Sequence, residues 1–232
     1  MMGYESLVSQ NPFRDLKTDK DNGLKMGLVM ARAGVGKTAL LVQIALDSIL
    51  RGNKVLHVSI GESIDKTRIW YDDMLDLIIR DHQVENPREL RDTVARNRII
   101  MTFKESAFSR PKLEERLNDL ILQDIFRPDC LVIDGFNFEA ANHEGLEDIR
   151  ELAELMNLQV WFSATSHRND TRVSEAGVPA PCHNTDDLFD TIIVLQPEEG
   201  VIRLNIIKDG GKPGNAEAGL NLDPATMMIE KA

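Results

Sequence analysis

The run AGVGKT at 33–38 brings two glycines, a lysine and a threonine to a spacing that suits phosphate chemistry. Gly34 and Gly36 let successive backbone N–H groups turn toward an anion. Lys37 supplies a point charge, and the Thr38 hydroxyl can ligate Mg2+. An apolar run at 26–31 precedes the motif and a helix-period stretch follows it. This strand, loop and helix order is the context that a phosphate-binding loop requires. Ala33, Gly34, Val35, Gly36, Lys37 and Thr38 are therefore the candidate nucleotide-binding residues. The first glycine of the usual G-x-x-x-x-G-K-[ST] pattern is replaced by Ala31.

Such a loop works with a carboxylate at the end of a neighbouring strand, on the metal side. Asp134 closes the run CLVID and takes that position, which makes Thr38 and Asp134 the candidate Mg2+ ligands. Asp134 could instead cap a turn before Gly135. Because Gly135 follows rather than a glutamate, a base for water must come from elsewhere. Glu62, in SIGES after the second apolar run, is one choice; with Ser63 it could equally cap the next helix.

The elements that must position these residues follow from periodicity. From Lys25 onward, short runs rich in Val, Ile and Leu alternate with helix-period stretches. That pattern predicts parallel strands joined by crossover helices, an α/β fold with helices on both faces of the sheet. Strands are expected at 26–31, 54–60, 99–103, 130–134 and 159–164. Helices are expected from Lys37, with Leu40, Leu41, Ile44, Ala45 and Ile49 buried, and after 60, carrying Ile69, Met74, Leu75, Ile78 and Ile79. Further helices are expected from Pro87, near Ser109 and Pro111, and over 147–157. The stretch 165–184 lacks periodicity and reads as a long functional or mobile loop. Runs at 191–195 and 201–207, separated by PEEG, predict an antiparallel edge at the C-terminal end.

The chain has 232 residues, 27 Lys plus Arg against 38 Asp plus Glu, and a formal charge of −11. One domain is the simplest reading, and the acidic balance disfavours general coating of DNA or RNA. Cys130 and Cys182 have no metal-ligand or disulfide-framework spacing, which fits a reducing cytoplasm. No apolar run is long enough for a membrane span, and 1–21 shows no apolar signal core. His167 reads as a surface residue of the SHRND loop. Of Trp70 and Tyr71, one ring should be core and the other surface or interface. The arginines Arg88, Arg91, Arg96 and Arg98 read as a solvated helix face.

In the order of its motifs, over about 23–230, the chain resembles the RecA-like ATPases. Within them it is most similar to the motor domain of DnaB-type replicative helicases, with KaiC-like ATPases as cousins. The helicase loop A-R-P-x-M-G-K-T matches Ala31, Arg32, Gly36, Lys37 and Thr38; LAELMNLQVWFSATSHR resembles the segment ending in S-Q-x-N-R; LNIIKDGG resembles the K-x-R-x-G finger; and NLDPATMMI resembles the closing strand. The resemblance implies a single RecA-like ATPase domain at 23–232 after an extension at 1–22. It implies ATP as ligand, Thr165 as γ-phosphate sensor, Glu62 as the water-orienting acid, and Lys208 as a finger residue reaching a neighbour's nucleotide in a homo-oligomer. Gly210 stands where the family has its finger arginine, and Thr165 where it has glutamine. With only about two dozen residues before the first strand, the family's primase-interacting N-terminal domain is not expected here. The expected activity is therefore slow, Mg2+-dependent ATP hydrolysis serving nucleotide-dependent assembly or regulation, with a protein partner. A single-stranded DNA motor and a catalytically silent nucleotide-binding scaffold are the alternatives.

Overall fold

The computed structural model describes residues 7–9, 11–16, 25–214 and 219–231. The rest of the expected extension at 1–22 lies outside the described residues. Among the described residues ten strands form one sheet: β1 (Met26–Ala31), β2 (Val55–Ile60), β3 (Arg98–Phe103), β4 (Cys130–Asp134), β5 (Gln159–Thr165), β6 (Thr191–Glu198), β7 (Val201–Asp209), β8 (Lys212–Pro213), β9 (Leu220–Leu222) and β10 (Ile229–Lys231). Their order is β10-β9-β7-β6-β1-β5-β4-β2-β3, with β8 paired to β7. The run from β3 to β6 is parallel, and β7 to β10 extend it with antiparallel pairs. The chain is thus an α/β protein with a mostly parallel sheet and an antiparallel C-terminal edge.

Packed on it are α1 (Lys37–Leu50), α2 (Ile64–Asp81), α3 (Pro87–Arg96), α4 (Arg110–Leu122) and α5 (His143–Met156). Residues of α1, α2 and α3 belong to one apolar core and residues of α4 and α5 to a second, so the helices cover both faces of the sheet. The central strands β1 and β2 are buried along their whole length, as parallel strands covered on two faces must be. Gly27 is needed within β1 because the Trp161 ring lies against it: a Cβ there would stand 2.5 Å from the indole.

One helical expectation extends further than the pattern showed, the five residues expected to be buried on α1 being buried together with their neighbours, and two need correction. α1 is buried on all sides from Ala39 to Leu50, Gln43, Asp47 and Ser48 included, because the N-terminal residues Leu7, Phe13 and Leu16, the helices α2 and α3 and the C-terminal strands all join its core. On α2, Ile69 is exposed and Tyr71 holds the buried position. α5 starts a turn before 147, because the Asn142 side chain accepts from the Gly145 N–H and nucleates the helix earlier. The 165–184 segment is also less open than its composition suggests, since Val178, Ala180 and Cys182 are buried. Within the N-terminal stretch, Leu7, Phe13 and Leu16 enter the core beside α1, and Asn11 donates to Asp47 at 2.6 Å.

Asp190 fastens the start of β1. Its carboxylate accepts from the Lys25 and Met26 N–H groups at 2.9 and 3.0 Å and from Arg150 at 3.0 Å. Partial burial opposes its ionisation, but these donors outweigh it and hold the carboxyl below the usual carboxylate range. The contribution is present above the unfolded pKa of about 4 and is lost as pH falls through the lower folded value. Asp190→Asn is therefore expected to flatten the acid limb of a stability-against-pH curve; an unchanged limb would remove Asp190 from that role.

Candidate functional site

The loop following β1 turns sharply at its glycines. Gly34 and Gly36 have φ of +78° and +105°, a region that residues with a Cβ rarely enter. Gly36 caps the N-terminus of α1, so the 33–38 loop runs directly into the first amides of that helix. Those first helical amides lack intrahelical acceptors and carry the positive end of the helix dipole. Ala33 and Gly34 are exposed, while Val35, Gly36, Lys37 and Thr38 are half-buried. The Lys37 ammonium donates to the Ala31 and Arg32 carbonyls at 3.4 and 3.3 Å. Burial lowers the Lys37 pKa, and the negative charge of Asp134 works against that shift.

Thr38 and Asp134, distant in sequence, meet here. The Thr38 hydroxyl donates to Asp134 Oδ2 at 2.6 Å. On the other side of the carboxylate, Ser163 Oγ donates to Oδ1 at 2.5 Å while accepting from the Gly135 N–H at 3.1 Å. Ser163 was not singled out in the sequence, yet the signal was present: it lies two residues before Thr165 on β5, hence on the same face of the strand. Thr165 sits opposite Ala31 in the β1–β5 register, and the next N–H, of Ser166, donates to the Ala31 carbonyl at 3.0 Å. Lys37, Thr38, Asp134 and Thr165 therefore gather at the carboxyl ends of β1, β4 and β5, where open α/β sheets bind ligands.

The missing glutamate after Asp134 has a steric cause. Gly135 has φ +88°, and a Cβ on it would lie 2.4 Å from the Ile60 carbonyl oxygen of β2. Glu62, beyond the end of β2, is exposed and ion-paired with Lys66 at 2.6 Å, while Ser63 caps α2 by accepting from the Lys66 N–H. Lys208 donates to the Asp186 carbonyl of its own chain at 3.2 Å. Neither Glu62 nor Lys208 is bonded to the gathered group.

Gly210 and Gly211 join β7 to β8 with φ of +56° and +77°. Two positive φ values in a two-residue connection are the requirement of a type I′ hairpin. Gly210→Arg and Gly210→Ala are both expected to cost about 1 kcal/mol through backbone strain. Thermal melting of the two variants checks this, and an unchanged midpoint for both would remove the strain argument.

Around the site, Gln43 of α1 grips the C-terminal turn. Its amide donates to the Met227 carbonyl at 2.7 Å, and its oxygen accepts from the Ile229 N–H at 2.8 Å. This turn places Met227 Sδ 3.1 Å from where a Cβ on Gly36 would lie. Below the site, His57 is fully buried; burial lowers its pKa to about 4, and Nδ1 hydrogen-bonds to the Tyr71 hydroxyl at 3.0 Å. Tyr71 is the core ring of its pair, and Trp70 lines a surface groove. Arg98 is not part of a solvated face: it lies on β3 with its guanidinium 4.3 Å from the centre of the Tyr71 ring.

Among the described residues no group of three or more His, Cys, Asp or Glu side chains is placed to hold a metal ion. A Mg2+ site needs fewer protein ligands, because Mg2+ keeps several waters and takes one or two carboxylates with substrate phosphates. The hydroxyl and carboxylate oxygens of Thr38 and Asp134 converge as hard donors of that kind. No helix among the described residues is long and apolar enough to cross a membrane. No protein-family model matches the chain, and no curated protein matches it.

Proposed function

We propose that the chain is a RecA-like P-loop ATPase that binds ATP with Mg2+ and hydrolyses it slowly, in the service of nucleotide-dependent assembly or regulation. The observation that carries this reading is the 2.6 Å bond between Thr38 and Asp134, made beside a glycine loop that caps a helix. In the proposal, the loop N–H groups and Lys37 hold the phosphates. Thr38 and Asp134 hold Mg2+, which when bound neutralises phosphate charge. Ser163 fixes the Asp134 carboxylate, and Thr165 senses the γ-phosphate.

Slow turnover follows from the chain's own contacts. Glu62 is engaged with Lys66, Gly135 offers no carboxylate, and Lys208 is tied to Asp186. For Glu62 to orient water or Lys208 to reach a neighbour's nucleotide in a homo-oligomer, each must leave its present partner. The same contacts favour the scaffold reading over a fast motor. Neither cysteine forms a disulfide and both are buried, and the proposal places the protein in a reducing cytoplasm, with a protein partner rather than DNA.

Equilibrium dialysis with ATP, with and without Mg2+, tests the binding; no uptake in either condition would sink the proposal. A parallel assay with single-stranded DNA separates the motor reading. The charge of −11 predicts weak DNA binding that fades as salt rises, and no stimulation of hydrolysis. Tight DNA binding at about 0.15 M salt, where the Debye length is about 8 Å, would favour the motor instead.

A further inference from the structure

A cleft continues from Thr165 away from the glycine loop. Its first lobe, about 250 Å³, is lined by Glu105, Gly135, Asn137, Ser163, Thr165 and His167 among others. Its second lobe, about 400 Å³, shares Phe138, Glu139, His167 and Pro181 with the first and adds His143, Asp170, Arg172 and His183. The cleft thus begins at the residues bonded to or following Asp134 and leads into a chamber holding three of the five histidines. Together the lobes reach the size of pockets that enclose small ligands.

The charges in the chamber are paired. Asp170 binds Arg172, His143 Nε2 meets Asp187 at 3.0 Å, and His167 Nε2 meets Glu139 at 2.9 Å. No excess of cations is left for a phosphorylated or polyanionic ligand, and no carboxylate cluster for a cation. What remains is a dense set of hydrogen-bonding groups against the Phe138 wall, His183 and Asn184 among them. That suits a neutral ligand with several hydroxyl groups. His167 and Glu139 form an acid–base couple exposed to the cleft: with Nε2–H donating to the carboxylate, Nδ1 carries a lone pair.

We propose that this cleft is a second-substrate site for a small neutral polyhydroxy compound, one hydroxyl of which accepts the γ-phosphoryl group of ATP. The inference rests on the ATP-binding reading above. The acceptor hydroxyl gives its proton to His167 Nδ1, and its oxygen forms a bond to the γ-phosphorus. The bond from that phosphorus to the β–γ bridging oxygen breaks, its electron pair leaves with ADP, and the products are ADP and a phosphate monoester. Poor provision for activating water, at Glu62 and Gly135, is what such a transferase needs in order to spare ATP.

The test uses glycerol, D-ribose, D-glucose and myo-inositol as probes on the full chain. Saturation-transfer NMR without nucleotide should detect at least one of them bound, and 31P NMR with Mg2+ and ATP should show its phosphate monoester. His167→Asn should lower monoester formation by about 10²- to 10⁴-fold, the usual worth of a general base, with ATP affinity unchanged. ATP bound by dialysis, yet only inorganic phosphate formed with all four probes, would overturn this inference and leave the nucleotide reading intact. Absence of ATP binding would overturn both. Glu105 lines the same first lobe, so loss of transfer in Glu105→Gln with full transfer in His167→Asn would overturn the assignment to His167.

Discussion

Lys37→Ala is expected to lower ATP affinity by about 10- to 100-fold while leaving the far-ultraviolet circular dichroism unchanged. The magnitude follows from the loss of charge-assisted hydrogen bonds, worth about 1.5–3 kcal/mol, where about 1.4 kcal/mol is a factor of ten in affinity. The fold should survive because the ammonium is half-buried and its partners are two carbonyls, those of Ala31 at the end of β1 and of Arg32 in the loop. Lys37 also carries the cost of partial burial, which already lowers its pKa; a phosphate would reverse that penalty by returning a strong negative partner. Nucleotide titration of the variant beside the parent chain measures the effect. Equal affinities would take Lys37 out of the site, whatever the shape of the loop.

Gly135→Ala should produce the largest loss of stability of any conservative change near the site, about 2–4 kcal/mol. Two costs coincide there. The residue sits at φ +88°, and its new Cβ would meet the Ile60 carbonyl oxygen at 2.4 Å, a backbone atom that cannot swing away as a side chain could. Gly177 serves as the control, since it has φ +87° but nothing within 4 Å of its Cβ position. Gly177→Ala should therefore cost only the strain, about 1 kcal/mol. Chemical denaturation of both variants gives the comparison. Similar losses at the two positions would show that β2 yields to make room, and would reopen the place after Asp134 to a carboxylate. By the same geometry, Gly135→Glu should lose stability without gaining hydrolysis.

Much of the architecture was legible in local pattern. A period of two or a solid apolar run marks a strand and a period near 3.6 marks a helix, and both are properties of neighbours in the chain. The five parallel strands expected at 26–31, 54–60, 99–103, 130–134 and 159–164 match β1 to β5 within a residue or two at each end. The positive φ needed at Gly34 and Gly36 is likewise local, set by the absence of a Cβ, and the position of Asp134 at the end of its apolar run could be read directly.

What the sequence could not settle depends on sheet order and on competition among partners. Thr38 meets Asp134, and Ser163 completes the group, only because β1, β5 and β4 lie side by side, an order fixed by pairing between segments remote in sequence. Tyr71 rather than Ile69 faces the core because it shares one helix face with Met74 and Leu75, while the bond of its hydroxyl to His57 joins segments that local pattern does not relate. Glu62 and Lys208 have the residue types for catalysis, but nearer partners, Lys66 and the Asp186 carbonyl, hold them. The glycine after Asp134 has its reason in a β2 carbonyl more than seventy residues away. Residue type and local spacing determine which groups are able to do chemistry; the packing of distant strands decides which of them meet, because a hydrogen bond or a steric clash acts over a few ångströms of space regardless of separation along the chain.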